Sequence, residues 1–266
     1  MVRAIERIQQ DITMLEEGIR AIALELHGAY RNYLTILGQG LAKQLILASY
    51  HLCTQGYPEN FLHLSLNRKQ QLQQSIRKLG QQAAEYLLTS FQDKEVGETE
   101  ESDEIDESDK DQKFLDPSNP VELAEWQQQL EEKIQETLKK TSHQANVLIQ
   151  KTGILPKKLP EPILAAAAAV ASESSAEIMP GPPNLLNLVI EISNEQDSED
   201  STLTQIMAIN LRLGEIEFAD ATLLSGRKQI RNILVQLNKL GREYQKKQRE
   251  LKVAEAEAAW RASWFE

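Results

Sequence analysis

Residues 5–26 read IERIQQDITMLEEGIRAIALEL, and Ile5, Ile8, Ile12, Leu15, Ile19, Ile22 and Leu26 follow one another in alternating steps of three and four. A helix repeats every 3.6 residues, so this spacing draws a single apolar stripe along one face. A strand would need a period of two, which is absent. Kept over several heptads, the pattern makes a coiled-coil seam that needs a partner helix. Ala29, Tyr33 and Ile36 continue the register, and Leu37, Leu41, Leu45 and Leu52 rebuild it. Gly38 and Gly40 stand at the shift, where a kink or register change is expected.

Gly56-Tyr57-Pro58 ends this helix, because proline disfavours the helical conformation of its predecessor. A second helix is expected from about Ser65 to Phe91, with Leu72, Ile76, Leu79, Ala83 and Tyr86 on one face. The short connection predicts an antiparallel hairpin. From Asp93 to Asp111, eleven acidic residues stand against Lys94 and Lys110, a local charge of −9. With almost no apolar residues to offset the ordering entropy, this block is expected to be a disordered linker.

Asn119-Pro120-Val121-Glu122 has the signature of a helix start, with Asn at the cap, Pro at the first position and Glu at the third. Leu123, Trp126, Leu130, Ile134, Leu138, Ala145 and Leu148 line that helix, and Gly153 suits its C-terminal cap. Prolines 156, 160 and 162 form a connector, residues 163–171 are alanine-rich, and Pro180-Gly181-Pro182-Pro183 is a second breaker. Leu185 to Ile192 is the one strand-like run. A lone strand is unstable, so an extended or helical packing segment is expected there.

Ile209, Ile216, Leu223, Ile230, Leu237, Tyr244, Leu251 and Ala258 are spaced by seven, with Ile233 and Leu240 at the companion position. Sixty helical residues would extend ~90 Å, so either this helix breaks, with Asp220 as a cap near Phe218, or the molecule is elongated. The expected fold is all-α, with long amphipathic helices in a coiled-coil-like bundle and an acidic disordered linker. The expected divisions are an N-terminal helical hairpin (1–92), the acidic linker (93–118), a middle helix with proline-rich connectors (119–200) and a C-terminal coiled-coil region (201–266).

The formal net charge of −11 over 266 residues argues against the whole chain binding nucleic acid. The single cysteine, Cys53, excludes an internal disulfide and a structural thiolate zinc site. The longest strongly apolar run, residues 163–171, is far short of the ~20 residues that span a bilayer, and the N-terminus lacks a secretory apolar core. A cytoplasmic protein is expected.

No catalytic constellation is legible. His51 and Cys53 fall on different sides of a helix, Glu25 and His27 are too close in sequence to share a helix face, Glu59 and His63 lie beside a proline-containing loop, and His143 is read as an ordinary surface or packing histidine. Gly38-Gln39-Gly40 lacks the third glycine and preceding strand of a nucleotide cradle. Neither an enzyme nor a cofactor or metal is expected.

Two features point to binding. Arg227, Lys228, Arg231, Lys239, Arg242, Lys246, Lys247, Arg249 and Lys252 face only Glu243 and Glu250, giving +7 over 26 residues. Such a helix suits phosphates, an anionic membrane or the acidic linker, or it is simply a solvated outer face. Tyr244, the one aromatic residue within it, belongs to the seven-residue apolar series, so no stacking platform interleaves with the cations. At the C-terminus, Trp260 and Trp264 share a helix face, with Phe265 beside them, as an interaction anchor or as an end-cap for the bundle.

Residues 244–248 (YQKKQ) and 255–264 (EAEAAWRASW) resemble uncharacterised helical proteins of cyanobacteria. The resemblance covers about the last quarter of the chain. It implies a bacterial cytosol and brings no activity, cofactor or partner.

The expected function is a non-enzymatic adaptor or scaffold acting through protein–protein contacts or self-association. Its partner-binding residues would be Trp260, Trp264, Phe265, Arg242, Lys246, Lys247 and Arg249. The alternative is a peripheral binder of polyanions, either an anionic membrane surface or nucleic acid, through the basic helix.

Overall fold

The structure, a computed structural model, describes residues 2–92, 116–155, 182–193 and 201–264. Among the described residues, the fold is all-α apart from one two-stranded sheet. Helix α1 spans Val2–His51 and passes through a π-helical turn, Leu52–Gly56, into the short α2, Pro58–Leu62. Helices α3 (Leu66–Gln92) and α4 (Pro120–Lys151) follow, then strands β1 (Leu185–Ser193) and β2 (Ser201–Ile209), and finally α5 (Leu213–Phe218) and α6 (Ala221–Ala262). The acidic segment up to residue 115, the prolines at 156, 160 and 162, the alanine-rich run, Pro180 and Phe265 lie outside the described residues.

Two compact units are assembled from segments distant in sequence. One takes residues 1–33, 90–131 and 225–266, the other 34–89 and 132–224.

In the second unit, α1 continues unbroken where a kink was expected at Gly38 and Gly40. These glycines admit a neighbour instead. A Cβ on Gly38 would lie 2.8 Å from the Cβ of Ala84, and one on Gly80 would lie 3.1 Å from Ala42. Moving forward on α1 from Gly38 to Ala42 moves backward on α3 from Ala84 to Gly80, so the two helices are antiparallel. Leu72, Ile76, Leu79 and Ala83 are buried as the spacing predicts. Tyr86 is exposed, and Leu87 takes the inner position. On α4, Leu148 is half-buried and Ile149 is the fully covered residue.

The helix ends follow local chemistry. Asn119 Oδ1 accepts the Val121 N–H at 3.0 Å, and Glu122 reaches back to the Asp116 N–H at 2.9 Å. Residues 116–118, placed in the linker by composition, thus belong to the α4 cap. Gly153, at φ +86°, closes the other end in the left-handed conformation that glycine tolerates.

The strand-like run is not alone. β1 pairs antiparallel with β2, from Leu185 opposite Ile209 to Ser193 opposite Ser201. The region 201–266 therefore opens as a strand where a coiled-coil helix was expected, and the helical part breaks after Phe218, with Asp220 as the cap. A two-stranded hairpin is marginal by itself, and here side chains complete its outer edge. The Tyr57 hydroxyl accepts the Met207 N–H at 3.0 Å and donates to the Met207 carbonyl at 3.3 Å. The Asn146 amide engages both the Ile209 N–H, at 2.8 Å, and its carbonyl, at 2.9 Å. Ser142 Oγ then accepts the Leu211 N–H at 2.9 Å.

Asn184 ties the hairpin to α5. It is fully buried at φ 60°, its carbonyl accepts the Asn210 N–H, its Oδ1 accepts the Arg212 N–H at 2.9 Å, and its own N–H donates to Glu215. The seven-residue series thus starts in a strand at Ile209, passes α5 at Ile216, and becomes a long helix only after Asp220.

Candidate functional site

Helix α6 carries the described residues that the sequence assigns to binding except Trp264, which stands in a turn two residues past the helix end at Ala262. It starts where Asp220 Oδ1 accepts the Thr222 N–H at 2.8 Å. That hydrogen bond holds the Asp220 carboxyl below the usual range. Within the first unit, α6 runs antiparallel to α1. Arg227 meets Tyr33, Leu240 lies against Gly18, Tyr244 donates to Glu16 at 3.3 Å, and Lys247 pairs with Asp11 at 2.9 Å.

The inner face of α6 holds a polar network. Arg227 pairs with Glu131 at 2.5 Å, donates to the Tyr33 hydroxyl at 2.8 Å, and stacks its guanidinium 4.6 Å from the Tyr33 ring centre. Glu131 also accepts the Tyr30 hydroxyl at 2.6 Å, and Gln127 donates to that hydroxyl at 3.1 Å. Burial, reinforced by the Glu131 charge, raises the Tyr30 phenol above its ordinary range. Beside it, Trp126 meets Tyr30 edge-on, with centroids at 5.6 Å, and His27 lies 4.3 Å from Phe91. Arg227, counted in the basic tract by composition, is therefore structural. Sequence reasoning missed Tyr30 and Glu131 and placed Tyr33 on the apolar stripe without its link to Arg227. The available signal was the position of Arg227 three residues before the buried Ile230, at the border of the packed face.

Lys247 is also engaged, bridging Asp11 and Glu250, whose hydrogen bonds raise its ammonium above the usual range. The rest of the tract is exposed and ordered in space. Lys228, Arg231, Val235, Lys239, Arg242, Lys246, Arg249 and Val253 follow in steps of three or four, which places them in one outward stripe. The acidic Glu257, exposed and paired with Arg261, takes the next position, and Trp260 on the last turns of α6 and Trp264 just past its end follow. The two indoles are 66% and 73% exposed, with ring centroids 5.7 Å apart. Trp260 follows Leu251 by nine residues, about 2.5 turns, which places it on the side of α6 opposite the seam.

The seam loses cover toward the helix ends. Ile230, Ile233 and Leu237 are 0–3% exposed, whereas Leu240, Tyr244, Leu251 and Ala258 are only half-buried. On α1, Ile19 is fully covered and Ile12 is buried at 6% exposure, while Ile5, Ile8 and Leu15 are half-buried. The geometry of α4 accounts for this. It begins with Pro120 against Gly241 and runs from there toward Arg227, so it covers the seam only on that side.

Among the described residues, no cluster of three or more His, Cys, Asp or Glu could hold a metal, and no helix is long and apolar enough to cross a membrane. Cys53 is buried, and burial pushes its thiol up to about 11, so little thiolate forms at neutral pH. The arrangement thus offers surfaces for contact: a half-covered apolar seam and, opposite it on α6, a cationic stripe ending in two exposed indoles. Comparison with protein-family models, curated proteins and solved structures gives no match.

Proposed function

We propose that this protein is a non-enzymatic helical adaptor that works by lending an incomplete helix–helix seam to a partner helix. The observation that carries this reading is the loss of cover along one continuous apolar series, from Ile230 at 0% exposure to the half-buried Leu251 and Ala258. Apolar surface that stays in water costs about 25 cal/mol per Å², so an amphipathic helix laid over the half-buried Ile5, Ile8, Leu15, Leu251 and Ala254 is favoured. Both contributing helices present their apolar residues at a regular helical period, which matches the ridges of an incoming helix.

The test is a photocrosslinking residue in place of Ala254, in the full chain in its native cell, with and without Ile8→Glu (I8E). A discrete adduct that disappears with I8E supports the reading, and an adduct of twice the chain mass identifies the partner as a second copy. No adduct, or one that is indifferent to I8E while circular dichroism shows intact helix, refutes it.

A further inference from the structure

We propose that the outward stripe of α6 docks on an anionic lipid bilayer, with Lys228, Arg231, Lys239, Arg242, Lys246 and Arg249 over the headgroups and Trp260 and Trp264 seated among them. Three observations carry this beyond the partner-helix reading. The six cations are all exposed and share one side of a single helix, spread over ~30 Å with no acidic residue among them in the stripe. A protein carrying −11 overall thus presents one positive edge, which fits a negatively charged surface.

The stripe is also not purely ionic. Val235 and Val253 interleave with the cations, at 68% and 51% exposure, and the two indoles close it. Tryptophan favours the boundary between headgroup and acyl chain, where its ring is apolar on one side and its N–H is hydrated on the other. A nucleic-acid groove offers no apolar layer for the valines and indoles to enter, and no aromatic platform lies between the cations for single strands. Finally, the outer side of one helix is convex and narrow. That shape suits a flat, yielding surface in the manner of helices that lie in the plane of an interface.

The stripe and the seam lie on opposite sides of α6, so failure of one idea leaves the other standing: charge changes on the stripe leave Ile8 and Ala254 untouched.

The experiment is co-sedimentation of the full chain with vesicles of phosphatidylcholine alone or mixed with phosphatidylserine, at low and high salt, with duplex DNA as a parallel ligand. Expected is binding to the anionic vesicles alone, released by salt, with a blue shift of tryptophan emission. Trp126 is buried, so the shift reports Trp260 and Trp264. The variant K239Q/R242Q/K246Q should lose roughly fivefold in vesicle partitioning per cation removed, and K239E/R242E/K246E more, both with unchanged helix content. W260A/W264A should keep salt-sensitive binding, more weakly and without the blue shift. Equal binding to neutral vesicles, binding indifferent to the charge variants, no binding at low salt, or tighter binding to duplex DNA than to anionic vesicles would each overturn the proposal.

Discussion

Replacing Arg227 by methionine (R227M) tests whether this one cation of the basic tract is an internal joint rather than part of its exposed surface. Methionine keeps an unbranched apolar side chain but removes the guanidinium, leaving Glu131 with the Tyr30 hydroxyl as its remaining hydrogen-bond partner in the Arg227 network. Removing one member of a fully buried ion pair costs ~3–5 kcal/mol, because the other charge is left uncompensated. The side chains of Arg227 and Glu131 are 12% and 24% exposed, so water recovers part of this, and about 2–3 kcal/mol is expected. Loss of the donation to Tyr33 adds about 1 kcal/mol.

Urea unfolding followed by circular dichroism should therefore show R227M less stable by about 3–4 kcal/mol. The double variant E131Q/R227M should recover about 1–2 kcal/mol of that, because a neutral amide tolerates the site better than a lone carboxylate. R242M/K246M, on the exposed stripe, should stay within about 0.5 kcal/mol of the parent chain. A loss below about 1 kcal/mol for R227M, or strict additivity in the double variant, would refute the view that this network is an internal joint.

Three further outcomes are expected. Asn146→Leu strips both hydrogen bonds from Ile209, so it should cost about 2–3 kcal/mol in urea unfolding and remove hydrogen-exchange protection at the Ile209 amide. Gly28→Ala and Gly38→Ala should act in opposite directions. The first meets nothing within 4 Å and gains about 1 kcal/mol of helix stability, whereas the second places a methyl 2.8 Å from Ala84 Cβ and is net destabilising, both read from thermal melts.

Tyr30→Phe loses a hydrogen bond to a carboxylate, about 1.5–3 kcal/mol at neutral pH, and should also change the alkaline limb of stability. The folded phenol titrates above its unfolded value, so its contribution is present below about pH 10 and is lost as pH rises toward the folded value. Unfolding free energy measured from neutral to alkaline pH should fall less steeply in Y30F. A residual slope is expected from Cys53 and Tyr57, both raised by burial.

Much of the fold is legible in the sequence because helices declare themselves locally. The steps of three and four in residues 5–26, the Asn119-Pro120-Val121-Glu122 start, Gly153 and Asp220 are short-range signals, and each stands in the structure at or near its expected place. The hairpin between β1 and β2 was hidden for the opposite reason. Its stability depends on Tyr57 and Asn146, which come from elements remote in sequence, and on Asn184 beside β1, whose side chain and N–H reach Arg212 and Glu215 beyond β2. No local pattern announces that a tyrosine and an asparagine will serve as the neighbouring strand.

The same division holds for the candidate site. Residue types and spacing supplied the cations, the indoles and the seam, since these are periodic along one helix. Only the tertiary structure decided which positive charges are already engaged within the molecule, because that depends on where Glu131 and Asp11 arrive. It also decided where the seam loses cover, because burial is fixed by the neighbours a helix meets and by where those neighbours begin and end. Period is a property of one chain segment, whereas cover is a property of several, and a single segment cannot encode it.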